Sequence, residues 1–474
     1  MKRNIFGVFC LFLVLSFLFL LNKKDRQLEF ALRFAENNRL ELEKVLKHYK
    51  NNPEKLEAAK FLIRNMPGSY AVDSMIEKRY TPFYLMYDSL SLIYNENFPK
   101  ERGLTIDSLW ENYGKNIGGH FSFNYTPDLN VINADQLIAE IELAFKSWKE
   151  NIYTRQCSFE EFCEYILPYR RKNGIILNSH RHEFYTRHAP FYFKKEDVDF
   201  RNETDSLLFN YKHIKHSQFY GSNIPIWSPN VLEKLKYGLC EQRCWYNSTL
   251  LSSIGMAVTI DCVPAWGNRN SSHSWNALIV KGETYPFEPF WDNDRWKYKH
   301  IYNNESFDHY WGRFRLPKVY RVTYSNNLDG PILDKNVSQN DIPSLFKNSK
   351  MKDVSSAYFK TSDVIVDLSG SIPEGCEYAY LCVFGYQQWH PVQWGRIKNG
   401  KALFKDMGRD IVYLPVFYVN GSIKYASSPF LLNSKGKVEV LKYSIDKQSI
   451  AVKNIAGARE HESNIQNMNS LKNA

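Results

Sequence analysis

The 474-residue sequence reads as an α+β protein with a helical first third, a mixed core and a C-terminal β-sandwich. Three observations carry that reading. Apolar residues recur at helical spacing through residues 25–150. Near the centre, a run without Gly or Pro ends at Gly255 and gives way to strand-like text. From residue 357 onward, two-residue alternation is punctuated by Asn-Gly pairs. At about 100–200 residues per domain the length calls for two or three domains. An apolar content of 44% is enough to give each a core. The net charge of +10 invites a nucleic-acid reading, but the basic residues are interleaved with 51 acidic ones. No base- or phosphate-reading motif accompanies them, so a nucleic-acid partner is not expected.

Residues 1–24 set the compartment. Lys2 and Arg3 precede an apolar run from Ile5 to Leu21, and Lys23, Lys24 and Arg26 follow it. As a helix the run would reach about 26 Å, slightly short of a bilayer core of about 30 Å. Phe19, Leu20 and Leu21 are too large for a signal-peptidase site, and Phe9 before Cys10 fits a lipoprotein signal poorly. The segment therefore reads as an export signal, cleaved or kept as an N-terminal membrane anchor, with the body extracytoplasmic, periplasmic or at the cell surface. Eight cysteines are present; setting Cys10 aside leaves an odd seven, compatible with one catalytic thiol outside any bridge.

The helical region, 25–150, shows Leu28, Ala31, Leu32 and Ala35, then Leu42, Val45, Leu46 and Tyr49, at helical spacing. Asn52-Pro53-Glu54 is a helix start, with a capping side chain, a proline whose missing N–H costs nothing there, and an acid near the positive end. That helix stops at Met66-Pro67-Gly68, and further helices are expected at 134–151 and 159–167. The region either frames substrate or supports the core. The core itself, 151–324, begins with text rich in His180, His182, His188, His213 and His216. No cysteine pair or carboxylate stands at ligand spacing beside them, so they read as exposed loop histidines in a cleft wall, and no metal is expected.

Residues 237–292 hold the chemistry. The helix expected over 241–254 is entered through Gly238, which permits a tight turn, and closed by Gly255. Cys240 falls at its N-terminus, where orphan N–H groups and the helix dipole favour a thiolate. Cys244 lies one turn inside and reads as a small packed hydrophobe. Residues 273–280 alternate as a strand and end at Lys281-Gly282, a two-residue hairpin turn. Pairing Val280 with Glu283 sets His273 opposite Phe290 and puts both Glu288 and Asp292 on its face; a four-residue loop would set Asp292 opposite His273. Either acid can orient the imidazole.

The segment resembles the transglutaminase-like core, a papain-related thiol fold, of the secreted bacterial multidomain type. The resemblance rests on Gly238-Leu239-Cys240 for a G-x-C at a helix start, on His273-Ser274-Trp275 for an H-x-W strand, and on Phe287-Glu288-Pro289. The last stands where the family has aspartate before proline, and Met256 departs from the family's G-I-P. The resemblance implies Cys240 as nucleophile, His273 as base and Glu288 as the orienting acid, with Asp292 the runner-up because of the substitution. A site of this kind needs a second oxyanion donor besides the Cys240 N–H. Trp266 and Asn268 are the candidates, with Trp227 a weaker one. Asp292-Asn293-Asp294 lacks the remaining calcium ligands and reads as a turn.

Beyond the core, polar text over 325–356 reads as a linker, and 357–445 as the β-sandwich, with hairpins at Asn399-Gly400 and Asn420-Gly421. Its Trp389, His390 and Trp394 are either core aromatics or a platform for sugar rings. Residues 446–474 form a polar tail. The expected activity is attack by a Cys240 thiolate on a carboxamide or peptide carbonyl of a protein or glycoprotein, with hydrolysis of the thioester and no cofactor. A cross-linking transglutaminase and a catalytically inactive surface binding scaffold are the alternatives.

Overall fold

Asn52 opens the helix Pro53–Asn65 through its side chain, which accepts the Lys55 N–H at 3.2 Å, and Pro53 occupies the first turn. The next long helix, Ala134–Glu150, is capped by Asn133. Phe159–Tyr165 starts on a full capping box of Ser158 and Glu161. The computed structural model describes residues 25–94, 106–178, 180–195, 198–216, 224–297 and 314–441. The expected signal or anchor, 1–24, and the tail, 446–474, lie outside them. Among the described residues no helix is long and apolar enough to cross a membrane. The described α-helices all precede residue 254 and the longer strands all follow it, the segregation that defines an α+β class.

The chain divides into two compact units. The first holds the described residues up to Thr259 with Leu278–Glu283 and Pro289–Asp292; the second holds Ile260–Ala277, Thr284–Glu288 and the described residues from Asn293 on. In the first unit, helices surround a small sheet of β1 (Tyr70–Val72), β2 (Tyr125–Pro127) and β3 (Ile175–Ile176) in the order β2-β1-β3. Buried ion pairs tie its loops together. Asp128, fully buried, accepts from Tyr169 Oη at 2.9 Å and from both Nε and Nη2 of Arg170. Arg181, also buried, donates to the carbonyls of Ile166, Leu167, Pro168 and Ser252. Each of these charges has partners, as burial demands. The parallel pair β4 (Lys215–His216) and β5 (Tyr237–Gly238) delivers the chain to the helix Cys240–Ser253.

β6 (Val258–Val263), β7 (His273–Val280), β8 (Glu283–Phe287), β9 (Tyr320–Val322) and β10 (Met351–Asp353) form a sheet of order β10-β9-β6-β7-β8. The polar stretch 325–356 is not a bare linker. It supplies β10 and three short 3-10 turns, and Ile342 and Phe346 are buried with Tyr320, Tyr378 and Tyr380. A few apolar residues in polar text suffice to seat it.

The C-terminal region departs from the expected sandwich. β11 (Ser362–Asp367), β12 (Tyr378–Gly385), β13 (Gln388–Lys398), β14 (Lys401–Met407), β15 (Ile411–Val419), β16 (Ser422–Tyr425), β17 (Phe430–Leu432) and β18 (Val438–Val440) form one eight-stranded, near-barrel sheet. Its order is β11-β14-β13-β12-β15-β17-β18, with β16 on β15. Register shifts between Ser362 and Val364 and between Leu381 and Cys382 bend the strands. The sheet thus curls around Val364, Leu381, Val392, Phe404, Tyr413 and Phe417 instead of facing a second sheet. Asn399-Gly400 and Asn420-Gly421 make the predicted tight turns, both residues of each having positive φ. Tyr386-Gln387 does the same without glycine, at φ 47° and 61°.

Candidate functional site

Cys240 is the first residue of the helix Cys240–Ser253. The Gln242 side chain reaches back to accept the Leu239 N–H at 2.8 Å, so one orphan donor at this end is already satisfied. At Gly238 a Cβ would meet the ends of two flexible side chains, Leu232 Cδ1 at 2.8 Å and Gln242 Oε1 at 3.2 Å. From Arg243 to Ser253 every residue is buried, whereas Cys240 is partly exposed and Cys244 fully buried. The polar residues on this buried helix are held from within and from the side. Thr249 and Ser253 hydroxyls bond the helix's own carbonyls, and Arg243 Nε and Asn247 Nδ2 both donate to the Pro289 carbonyl, at 3.2 and 2.9 Å. Gly255 closes the helix at φ 81°, and its carbonyl accepts from Thr154 Oγ1 at 2.6 Å.

His273 starts β7. Its Nε2 lies 3.2 Å from Glu288 Oε2, with side-chain exposures of 21% and 13%. The Lys281-Gly282 turn has positive φ at both residues, as the two-residue hairpin requires. β8 ends at Phe287, so the ladder is not carried on to Phe290. Phe290 packs instead against His216, ring centroids 5.0 Å apart, and Trp291 against Phe209 at 4.9 Å. Asp292 follows in that same first-unit segment. Glu288 is gripped by its backbone: its N–H donates to the Arg295 carbonyl at 3.0 Å and Arg295 Nη2 donates to its carbonyl at 3.1 Å. Arg295 is buried, its guanidinium 5.4 Å from the Phe287 ring centroid. Sequence reasoning missed it; the signal was a charged residue between Asp294 and Trp296, directly after a run read only as a turn.

Trp266 and Trp275 flank the imidazole, with centroids 6.4 and 6.0 Å from it; the Trp266 ring is within 22° of parallel. Both indoles are buried. Of the two oxyanion candidates, Trp266 thus serves as a wall beside His273. Asn268 Oδ1 accepts the Arg315 N–H at 3.1 Å, and Gly267 donates to the Arg315 carbonyl at 2.7 Å, so this pair anchors the loop. The loop is seated in the C-terminal sheet as well. Ala265 belongs to the core inside the curl, and a Cβ on Gly267 would meet Ile411 at 2.8 Å. Trp227, the weaker candidate, packs edge-on to Phe123 in the first unit.

Of the histidine-rich stretch, His182, His213 and His216 are exposed as expected, and two others differ from that reading. His180 and His188 are buried at 6% and 7% exposure, because the helix Arg181–His188 packs inward. His180 Nδ1 pairs with Glu183, and His188 Nε2 lies 2.7 Å from Tyr211 Oη. Burial pushes the His188 imidazole down to about 4, so it is neutral at pH 7. Among the described residues no group of His, Cys, Asp or Glu is placed to hold a metal ion, and no cysteine is in a disulfide. The site residues therefore fall into two sets: Cys240 and Asp292 in the first unit, and His273, Glu288, Trp266 and Asn268 in the second. Compared with known proteins, the chain matches no family model, no curated protein and no solved structure.

Proposed function

We propose that the protein is a transglutaminase-like thiol enzyme that hydrolyses a carboxamide or peptide bond of a protein or glycoprotein through a thioester on Cys240. The observation that carries the reading is the His273–Glu288 pair, an imidazole held by a carboxylate at 3.2 Å between two tryptophans. A strand histidine needs no such partner for packing alone; a general base does, because the acid fixes its tautomer and stabilises its cation. Glu288 engages Nε2, so Nδ1 is the nitrogen that would serve the thiol. His273 takes the Cys240 proton, sulfur attacks the carbonyl carbon, and the C–N bond breaks as the imidazolium returns that proton to the leaving amine. Water, deprotonated by the same imidazole, then cleaves the thioester to a carboxylate and restores the thiol. Location at Cys240 follows from the helix start, where backbone N–H groups stabilise both thiolate and oxyanion. Placement outside the cytoplasm belongs to the same reading and rests on the sequence of residues 1–24.

Alkylation by iodoacetamide at neutral pH, mapped by mass spectrometry, tests it. Cys240 should outpace Cys244 and Cys262, and His273→Ala should slow Cys240 alone by at least about tenfold, the usual scale of general-base assistance being larger still. Cys240 is also the more exposed than Cys244, so rank order by itself decides nothing. Equal Cys240 rates with and without the imidazole would leave only a binding scaffold.

A further inference from the structure

The histidine strand is joined to residues far down the chain by a buried polar chain. Trp275, two residues after His273, donates from Nε1 to Tyr358 Oη at 2.8 Å. Tyr358 in turn donates to Asp261 Oδ2 at 2.6 Å. Asp261 is fully buried on β6 and accepts a two-pronged grip from Arg321, its direct cross-strand partner on β9, with both contacts at 2.8 Å. Bidentate charge-assisted bonds of this kind fix direction as well as distance. Burial raises the Tyr358 hydroxyl well above its ordinary range, so it stays protonated and donates to the carboxylate while accepting from the indole. Trp275 itself is fully buried, with its ring 5.5 Å from that of Tyr358 and 6.0 Å from the imidazole.

We infer that Tyr358 is a positioning residue for His273: anchored by the Asp261–Arg321 pair, it fixes the Trp275 indole against which the imidazole is set. The inference rests on the proposed thiol chemistry. It goes beyond it by assigning a role in that chemistry to a residue outside the Cys-His-Glu set, more than 80 positions from the strand it supports. The two 2.8 Å contacts hold the Asp261 carboxylate, and through it the Tyr358 hydroxyl, in one direction, which is what orientation of the indole requires.

The full-length protein, its Tyr358→Phe and Trp275→Phe variants, and the double variant are compared by iodoacetamide labelling at neutral pH, with Cys376 as the internal control. Each single variant should slow Cys240 about tenfold and leave Cys376 unchanged, and each should move the imidazole N–H signals of His273 in NMR. The double variant should be no slower than either single one, because both remove the same hydrogen bond. Should Tyr358→Phe fail to fold, Trp275→Phe carries the test, since it removes the donor and leaves the Tyr358–Asp261–Arg321 part intact. Rates within twofold of wild type, a multiplicative double variant, or parallel slowing of Cys376 would each overturn the assignment. His273→Ala, run alongside, separates the two ideas. If it slows Cys240 while the Tyr358 and Trp275 variants do not, this inference fails alone; if it does not, the thiol reading fails first.

Discussion

Replacing Glu288 by Gln changes one oxygen to an amide and removes one charge, 3.2 Å from His273 Nε2. At that separation the attraction between carboxylate and imidazolium is about 5 kcal/mol at an effective dielectric of about 20 and about 1.3 kcal/mol in water. The side chains retain 21% and 13% exposure, so the pair sits between those limits and part of the gain is offset by desolvation. Hydrogen-bond energetics give a tighter bound. A bond to a charged group contributes about 1.5–3 kcal/mol and a neutral one about 0.5–1.5 kcal/mol, so the substitution costs the imidazolium about 1–2 kcal/mol. At 1.36 kcal/mol per tenfold, Cys240 alkylation at neutral pH should fall about 5- to 30-fold. The assay is a time course with mass-mapped labelling, and Cys376 again reports global loosening. Glu288→Asp should resemble Gln, because one methylene fewer withdraws the carboxylate from Nε2. A Gln variant within twofold of wild type would show that the carboxylate does not support the base.

Two further outcomes follow from the first unit. Gly255→Ala should be destabilising by about 2–5 kcal/mol: about 1–2 for an alanine in the left-handed region and about 1–3 for overpacking, since a Cβ at φ 81° would overlap the Ser147 carbonyl. Urea unfolding followed by tryptophan fluorescence should show an earlier first transition, and an unchanged midpoint would refute the close approach. His188 predicts an acid-sensitive unit. The unfolded chain takes up its proton near 6.5, whereas the folded imidazole waits until about 4. Between those values the unfolded state binds more protons, so stability falls as pH drops through that window, by about 3 kcal/mol at most. His188→Gln should flatten the dependence of the unfolding midpoint over pH 6.5 to 4, and a parallel pH profile would remove the histidine from the account.

Local signals in the sequence were legible where the cause is local. Asn52-Pro53, Asn133 and Ser158 act as caps because the capping atoms lie within three residues of the groups they satisfy. Lys281-Gly282, Asn399-Gly400 and Asn420-Gly421 turn because their backbone tolerates positive φ. Cys240 at a helix start and Glu288 beside His273 were readable for the same reason: one is set by a glycine two residues away, the other by a hairpin. What depended on distant partners was not legible. The curl of the C-terminal sheet goes with register shifts that single-strand alternation does not encode, so alternation alone predicts a sandwich. Residues 342 and 346 look isolated in polar text until Tyr320 and Tyr380 cover them. Tyr386-Gln387 gave no turn signal, since neither residue is glycine. Arg295, Tyr358 and Arg321 were missed because their meaning lies in a carbonyl, an indole and a carboxylate that the linear order keeps apart.

The span of those contacts bears on synthesis. Asp261 meets Arg321 across 60 positions and Tyr358 across 97, while Trp275 meets Tyr358 across 83. Chains emerge from the ribosome N-terminus first, at about 5–20 residues per second. A nascent polypeptide therefore displays its thiol and its imidazole for several seconds before the tyrosine that braces the histidine strand exists. Until that residue emerges, the histidine strand lacks the brace on which the proposed thiol chemistry would draw, and the order of translation would delay that chemistry.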